Sequence, residues 1–167
     1  MSQSLTFAYD AAEDRIAAVT DVNASPGPSF WLTRRMTLAF LHQASEHLEQ
    51  TSAVAAHATA DHRADVIAFE QEAALAATRN AISSSNEQAL AHAKTRAVRA
   101  SSIGLHPRGE QLRLVLKADG ASASSEWSRP LLLRILKTLE SEVEKAGWLA
   151  IPERPHAPIT QNPVVRH

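Results

Sequence analysis

Histidine and carboxylate side chains recur at helical spacing in this sequence. His42 and Glu46 are four residues apart, so a helix would place them on one face. His57 and Asp61 repeat that spacing further along the chain. Such groups can bind zinc without cysteine, but neither pair forms part of a known metal-binding motif. His42 and Glu46 are therefore the candidate ligands of a small metal-dependent hydrolase, the least favoured of three functional hypotheses, and we expect no bound cofactor.

The sequence contains no motif of a common catalytic site. Because there is no cysteine, thiolate nucleophiles, thiolate zinc sites and disulfides are excluded. The five glycines are scattered over predicted turns, and none belongs to a phosphate-binding loop or a nucleophile elbow. A non-enzymatic role is therefore favoured over catalysis.

Arginines stand at the starts of two predicted helices. Arg34 and Arg35 follow a threonine that can cap one helix, and Arg129 follows a serine that can cap another. Positive charge at a helix N-terminus opposes the helix dipole, which makes these positions unusual for arginine. Arg113 and Lys117 lie on one face of a predicted strand. These five cations are the candidate contacts for an anion or a partner protein.

A tryptophan precedes each helix start. Trp31 and Trp127 are expected to pack beside the helices, with a nearby loop carbonyl accepting the indole N–H. The alternative to anion binding is structural. The helix-start arginines would then pair with Asp21, Asp119 or Glu126, and their stems would cover the tryptophans.

Alternation of apolar and polar residues predicts four strands that lead to these helices. Polar turns join the strands in pairs, and the second turn is Pro107-Arg108-Gly109-Glu110. Loops at 23–29 and 119–125, which are rich in proline, glycine or serine, then precede the two helices. The predicted strands span residues 5–9, 15–22, 96–106 and 112–117.

The long segment between the two pairs of strands is predicted to be mostly helical. No glycine or proline occurs from Ser29 to Ile103, and residues that favour helices, above all alanine, are frequent. Residues 65–82 should form a second helix with one apolar stripe facing the core. That stripe is predicted to comprise Val66, Phe69, Ala73 and Ala76 or Ala77.

The last helix has the clearest apolar periodicity. It should begin at Ser128, and Gly147 is a suitable residue to end it. Residues 152–167 contain four prolines and are predicted to form an extended tail. The stripe of the last helix is predicted to comprise Leu132, Ile135, Leu136, Leu139 and Val143.

Together these elements predict a single α+β domain over residues 1–151. Two ββα halves, 4–52 and 96–148, would form an antiparallel sheet of about four strands with two main helices. An Ala-rich helical insert, 53–95, separates the halves, and a Pro-rich tail, 152–167, follows them. The similar order of elements in both halves raises the hypothesis of a duplication.

Composition limits the classes of partner. The net charge is -1, from 17 basic and 18 acidic residues, so a general polyanion binder is not favoured. The N-terminal residues do not resemble a signal peptide, and no apolar run is long enough to cross a membrane. The sequence therefore predicts a cytoplasmic protein without a membrane partner.

These observations favour a non-enzymatic assembly or adaptor protein that acts through protein–protein contacts. Exposed sheet edges and small alanine faces suit self-association, so the predicted state is a homodimer. The second hypothesis is a nucleic-acid-binding protein that uses the arginines of the second hairpin and of the helix starts.

Overall fold

A computed structural model of the protein describes residues 4–20, 27–77 and 86–149. Three strands precede the first helix, and three more precede the last one. The strands are β1 (Leu5–Asp10), β2 (Arg15–Thr20), β3 (Ser29–Leu32), β4 (Val98–Arg108), β5 (Gln111–Ala118) and β6 (Ala121–Ser128).

Four α-helices occur in the described part of the chain. Two short 3-10 turns, Ala55–His57 and Ala60–His62, connect the first helix to the second. The helices are α1 (Arg34–Thr51), α2 (Arg63–Ala77), α3 (Asn86–Arg96) and α4 (Arg129–Lys145). None of these helices is both long and apolar enough to cross a bilayer.

The six strands form one mixed sheet in the order in which they occur in the chain. Neighbouring strands are antiparallel except β3 and β4, which run parallel and pair only at Phe30 with Val98 and Trp31 with Arg99. The predicted α+β class is confirmed. The predicted four-stranded antiparallel layout of two ββα halves is wrong, because each half contributes three strands.

The two missed strands lack the alternation that reveals a strand in a sequence. β6 consists largely of alanine and serine, and the sequence predicts a loop over its residues 121–125. Pairing with β5 holds it in place, and a two-residue turn at Asp119-Gly120 joins the two strands. Gly120 has a φ of 74°, which suits glycine at this turn. β3 is only four residues long and ends immediately before α1.

The main core lies on one face of the sheet, between the strands and helices α1 and α4. All five residues of the predicted stripe of α4 are buried, so this prediction is confirmed. Gly147 has a φ of 67° and Trp148 folds back on the helix end, as expected for a C-cap glycine. The largest fully buried side chains include Phe7, Phe30, Phe40, Ile16, Leu32, Leu114, Leu132 and Leu139.

The opposite face of β1–β3 is covered by α3. Ala89 and Ala93 of the helix meet Ala8, Ala17 and Val19 of the strands, and small side chains let the two backbones approach closely. The outer face of β4–β6 carries alternating exposed residues and no helix of the described chain. Among the described residues, helices therefore cover both faces of the sheet only in its first half.

The predicted apolar stripe of α2 is wrong. The helix buries Ile67, Gln71 and Ala74 against its neighbours, whereas Phe69 is 72% exposed. The sequence offers two apolar faces on this Ala-rich helix, and contact with α4 selects the face one residue away from the predicted one. The end of the predicted helix at residue 82 and the Pro-rich tail lie outside the described residues.

Candidate interaction groove

The arginine at the start of α1 reaches the end of α4. Arg34 donates from Nη2 to the carbonyl oxygen of Trp148 at 3.0 Å. Trp148 also donates its indole N–H to Asp14 at 2.9 Å, and Tyr9 donates its hydroxyl to the same carboxylate oxygen. The hydrogen bond from Trp148, followed by that from Tyr9, holds the pKa of the Asp14 carboxyl below its usual range.

The arginine at the start of α4 reaches the end of α1. Arg129 donates to the carbonyl oxygen of Leu48 and to the hydroxyl of Thr51, both at 2.9 Å. Its Nη2 also lies 2.7 Å from a carboxylate oxygen of Glu70 on α2. The last turn of α1 has no basic residue of its own. Arg129 therefore supplies the positive charge that the carbonyl groups at the C-terminal end of α1 favour.

The partner of Arg129 differs from the acids that the sequence suggested. Glu70 takes that place, Asp21 lies outside the described residues, and Glu126 pairs with Arg113 instead. Burial by itself raises the pKa of the Glu70 carboxyl. The hydrogen bond from Ser52 and the ion pair with Arg129 outweigh that effect and hold the pKa below its usual range.

The other predicted cations do not gather at the helix starts. Arg113 and Lys117 lie on the outer face of β5, as the alternation predicts. Arg113 Nη2 and Arg108 Nε are both 3.5 Å from one oxygen of Glu126, so part of the positive charge on this face is neutralised. The hypothesis of nucleic-acid contact at this face stays a prediction.

The two tryptophans lie on opposite faces of the sheet. Trp127 is buried in the main core and donates its indole N–H to the hydroxyl of Ser125 at 2.7 Å. Trp31 packs beside α3 on the other face. The indole partner of Trp127 is therefore a strand side chain and not the loop carbonyl that the sequence suggested.

His42 and Glu46 form an exposed pair on α1, with 3.6 Å between His42 Nε2 and Glu46 Oε1. A zinc site needs more protein ligands than these two side chains supply. The described residues contain no cluster of three or more histidine, aspartate or glutamate side chains that could hold a metal ion.

A groove runs between α1 and β4. β3 has four residues and β4 has eleven, so no described strand pairs with this edge of β4 beyond Arg99. The chain turns from β3 into α1 at Thr33, whose side chain accepts a hydrogen bond from the Met36 amide. α1 then passes beside the unpaired part of β4.

The groove consists of two adjoining cavities of about 320 and 250 Å³ that share Phe40 and Gln43 as lining residues. Its β4 wall carries the apolar side chains of Ile103 and Leu105. On the helix, Met36, Ala39 and Phe40 make one half apolar, and the side chains of Glu46, His47 and Gln50 make the other half polar.

The backbone of β4 presents hydrogen-bonding groups to this groove. The β4–β5 hairpin has a two-residue turn closed by Arg108 opposite Gln111, which in such hairpins is the hydrogen-bonded pair. Pro107, one residue earlier, then has its nitrogen directed away from β5, the orientation that proline requires in a sheet. By alternation, Ile103 and Leu105 direct their N–H and C=O groups to the open edge.

Opposite charges mark the two ends of the groove. Arg35 is exposed and lines the end near Ser101 and Ser102, and no ion pair engages it within the described residues. Glu46 lines the other end, near Leu105. Of the predicted cations, Arg35 lines one of the two cavities of this groove.

Comparison of the chain with protein-family models, curated proteins and solved structures found no match. The groove therefore has to be interpreted from its own residues. The sequence contained one signal for it, because a proline inside a strand pattern, here Pro107, is typical of an edge strand. The length of β3, which decides how much of that edge is open, had no such signal.

The ion pair of Arg129 should contribute strongly to stability. We expect Arg129→Met to lower the free energy of unfolding by about 2–3 kcal/mol, because it leaves the partly buried Glu70 carboxylate without its cation. Urea unfolding followed by circular dichroism measures this change. Arg99→Met, at an exposed position, is the control and should cost less than about 0.5 kcal/mol. Equal losses in both variants would contradict the structural role of Arg129.

Acid should weaken the fold through Glu70. Since its pKa is lower in the folded chain than when unfolded, its stabilisation is complete at pH values above the ordinary pKa of a glutamate. It is lost as the pH falls through the folded value. We expect Glu70→Gln to show a smaller decrease in unfolding free energy between neutral and acidic pH than the wild type. Glu110→Gln, which removes a carboxylate from an exposed turn, controls for the change in charge. An unchanged pH dependence in Glu70→Gln would refute this assignment.

Proposed function

We propose that the protein is a non-enzymatic assembly or adaptor protein that binds an extended segment of a protein chain at the open edge of β4. The observation that supports this most directly is the unpaired edge itself, next to an apolar groove wall. An added strand gains main-chain hydrogen bonds from the edge, and side-chain pockets beside it provide specificity.

The groove specifies what kind of segment fits. Side chains on one face of the added strand would meet Met36, Phe40 and Ile103, so apolar residues at alternate positions are favoured. Arg35 favours an acidic residue at one end of the segment, and Glu46 favours a basic residue at the other. The expected ligand is thus a short extended peptide with alternating apolar residues and opposite charges at its ends.

Protein binding is better supported than the two other hypotheses. His42 and Glu46 have no third metal ligand beside them among the described residues, and the zinc site of a metal-dependent hydrolase would need one. On the outer face of β4–β6, Glu126 pairs with both Arg108 and Arg113. The described strands place no Phe, Tyr or Trp side chain on this face for base stacking. The groove, by contrast, combines unpaired backbone groups of β4 with an apolar wall.

Selection from a library of short random peptides tests this function. Wild-type protein, immobilised sparsely so that each copy acts alone, should enrich peptides with the alternation and end charges described above. Ile103→Lys should bind the enriched peptides about tenfold more weakly or worse, because it puts a charge on the apolar wall. Phe69→Lys, which makes the same change at an exposed apolar position on α2, should bind like the wild type.

Amide hydrogen exchange locates the bound peptide. The amides of Ile103 and Leu105 should exchange more slowly in the complex, since they donate to the added strand. If no peptide is enriched, or if Ile103→Lys and the wild type bind equally well, the protein does not act by strand addition at β4.

A further inference from the structure

We propose that the segment bound at the open edge is β4 of a second copy, so that the protein is a homodimer with a continuous sheet across a twofold axis. This inference rests on the proposed function, because it names the occupant of the same groove.

The edge of β4 is complementary to itself in an antiparallel register. With Gly104 of both copies opposite each other on the axis, Ile103 lies opposite the second copy's Leu105. Both residues direct their backbone groups to the edge, so each such pair can form two hydrogen bonds. Their apolar side chains would lie side by side on the groove face, and Gly104 adds no side chain at the axis.

The charges in the groove of one copy are also complementary to those of the second copy when a twofold axis at Gly104 relates the two. α1 passes along β4 in the direction of the strand, because Arg35 lines the groove near Ser102 and Glu46 lines it near Leu105. A twofold axis at Gly104 reverses this direction in the second copy. It places the second copy's Glu46 at the end that carries Arg35, and the reverse pair forms at the other end.

The part of β4 that can pair with another strand is also limited at both ends. Pro107 cannot donate a hydrogen bond, and a bulge at Ser101, whose hydroxyl donates to the Lys117 carbonyl, interrupts the register on the other side. Pairing is therefore restricted to a short segment around Gly104. Because the contact uses the same surface of both copies, it closes at two chains and does not propagate into a fibre.

Cross-linking through an introduced cysteine tests the register. Opposite residues of a non-hydrogen-bonded pair have Cα atoms about 4.5 Å apart, which permits a disulfide. The chain has no cysteine, so Gly104→Cys should be the only thiol in each copy and should form a covalent dimer with oxidised glutathione. The added Cβ meets the flexible His106 side chain at 3.2 Å, which can move away. Ser124→Cys, on the same outer face of β6, is the control and should remain largely monomeric.

Charge reversal tests the groove contacts. Light scattering during size exclusion should give the wild type twice the 18.1 kDa mass of one chain. Arg35→Glu and Glu46→Arg should each weaken dimerisation about tenfold, because each creates two pairs of like charges. The double variant should recover most of this loss, which a damaged fold could not do.

These outcomes separate the homodimer from the proposed function. A wild type that stays monomeric at high micromolar concentration overturns the homodimer, while the peptide selection still decides whether the edge binds a strand. A dimer that neither cross-links through Gly104→Cys nor responds to the charge reversals also overturns it. Cross-linking at Gly104 together with recovery in the double variant supports it.

Discussion

The reciprocal arginine contacts between α1 and α4 fix how the two main helices lie relative to each other. Arg34 binds the carbonyl oxygen just beyond the end of α4, and Arg129 binds the last turn of α1. Each arginine is unfavourably placed with respect to its own helix dipole, but it interacts favourably with the C-terminal carbonyl groups of the other helix. The two helices therefore run in opposite directions over a common core.

The early end of β3 leaves part of one edge of β4 unpaired. β3 ends at Leu32 and the chain turns into α1, so no described strand continues along this edge of β4 beyond Arg99. The outer edge of β1, in contrast, forms a hydrogen bond with a side chain. There the buried carboxylate of Glu142, on α4, accepts a hydrogen bond from the Tyr9 amide and also from the Asn86 side chain. The β1 edge of the sheet is thus contacted by side chains, whereas the groove lies at the unpaired part of β4, a strand inside the sheet.

Much of the helical structure could be predicted from local signals, whereas much of the sheet could not. The buried stripe of α4 follows from apolar residues at helical spacing, and Gly147 is a recognisable end signal. β6 has few large apolar residues, so its pairing depends on β5 and on the tight Asp119-Gly120 turn. The local sequence also does not show which side of α2 is buried, because Phe69 and Ile67 lie on two different apolar faces of this helix.

The sequence by itself determined the α+β class and the starts of α1 and α4. These properties depend on neighbours within a few turns or strand residues, which the sequence shows directly. Only the tertiary structure decided which surroundings the predicted cations have. Arg129 became part of the helix framework, and Arg35 became part of a groove, because their surroundings come from segments distant in the chain. The open edge of β4 likewise results from the unequal lengths of β3 and β4, a property of pairing that no single segment contains.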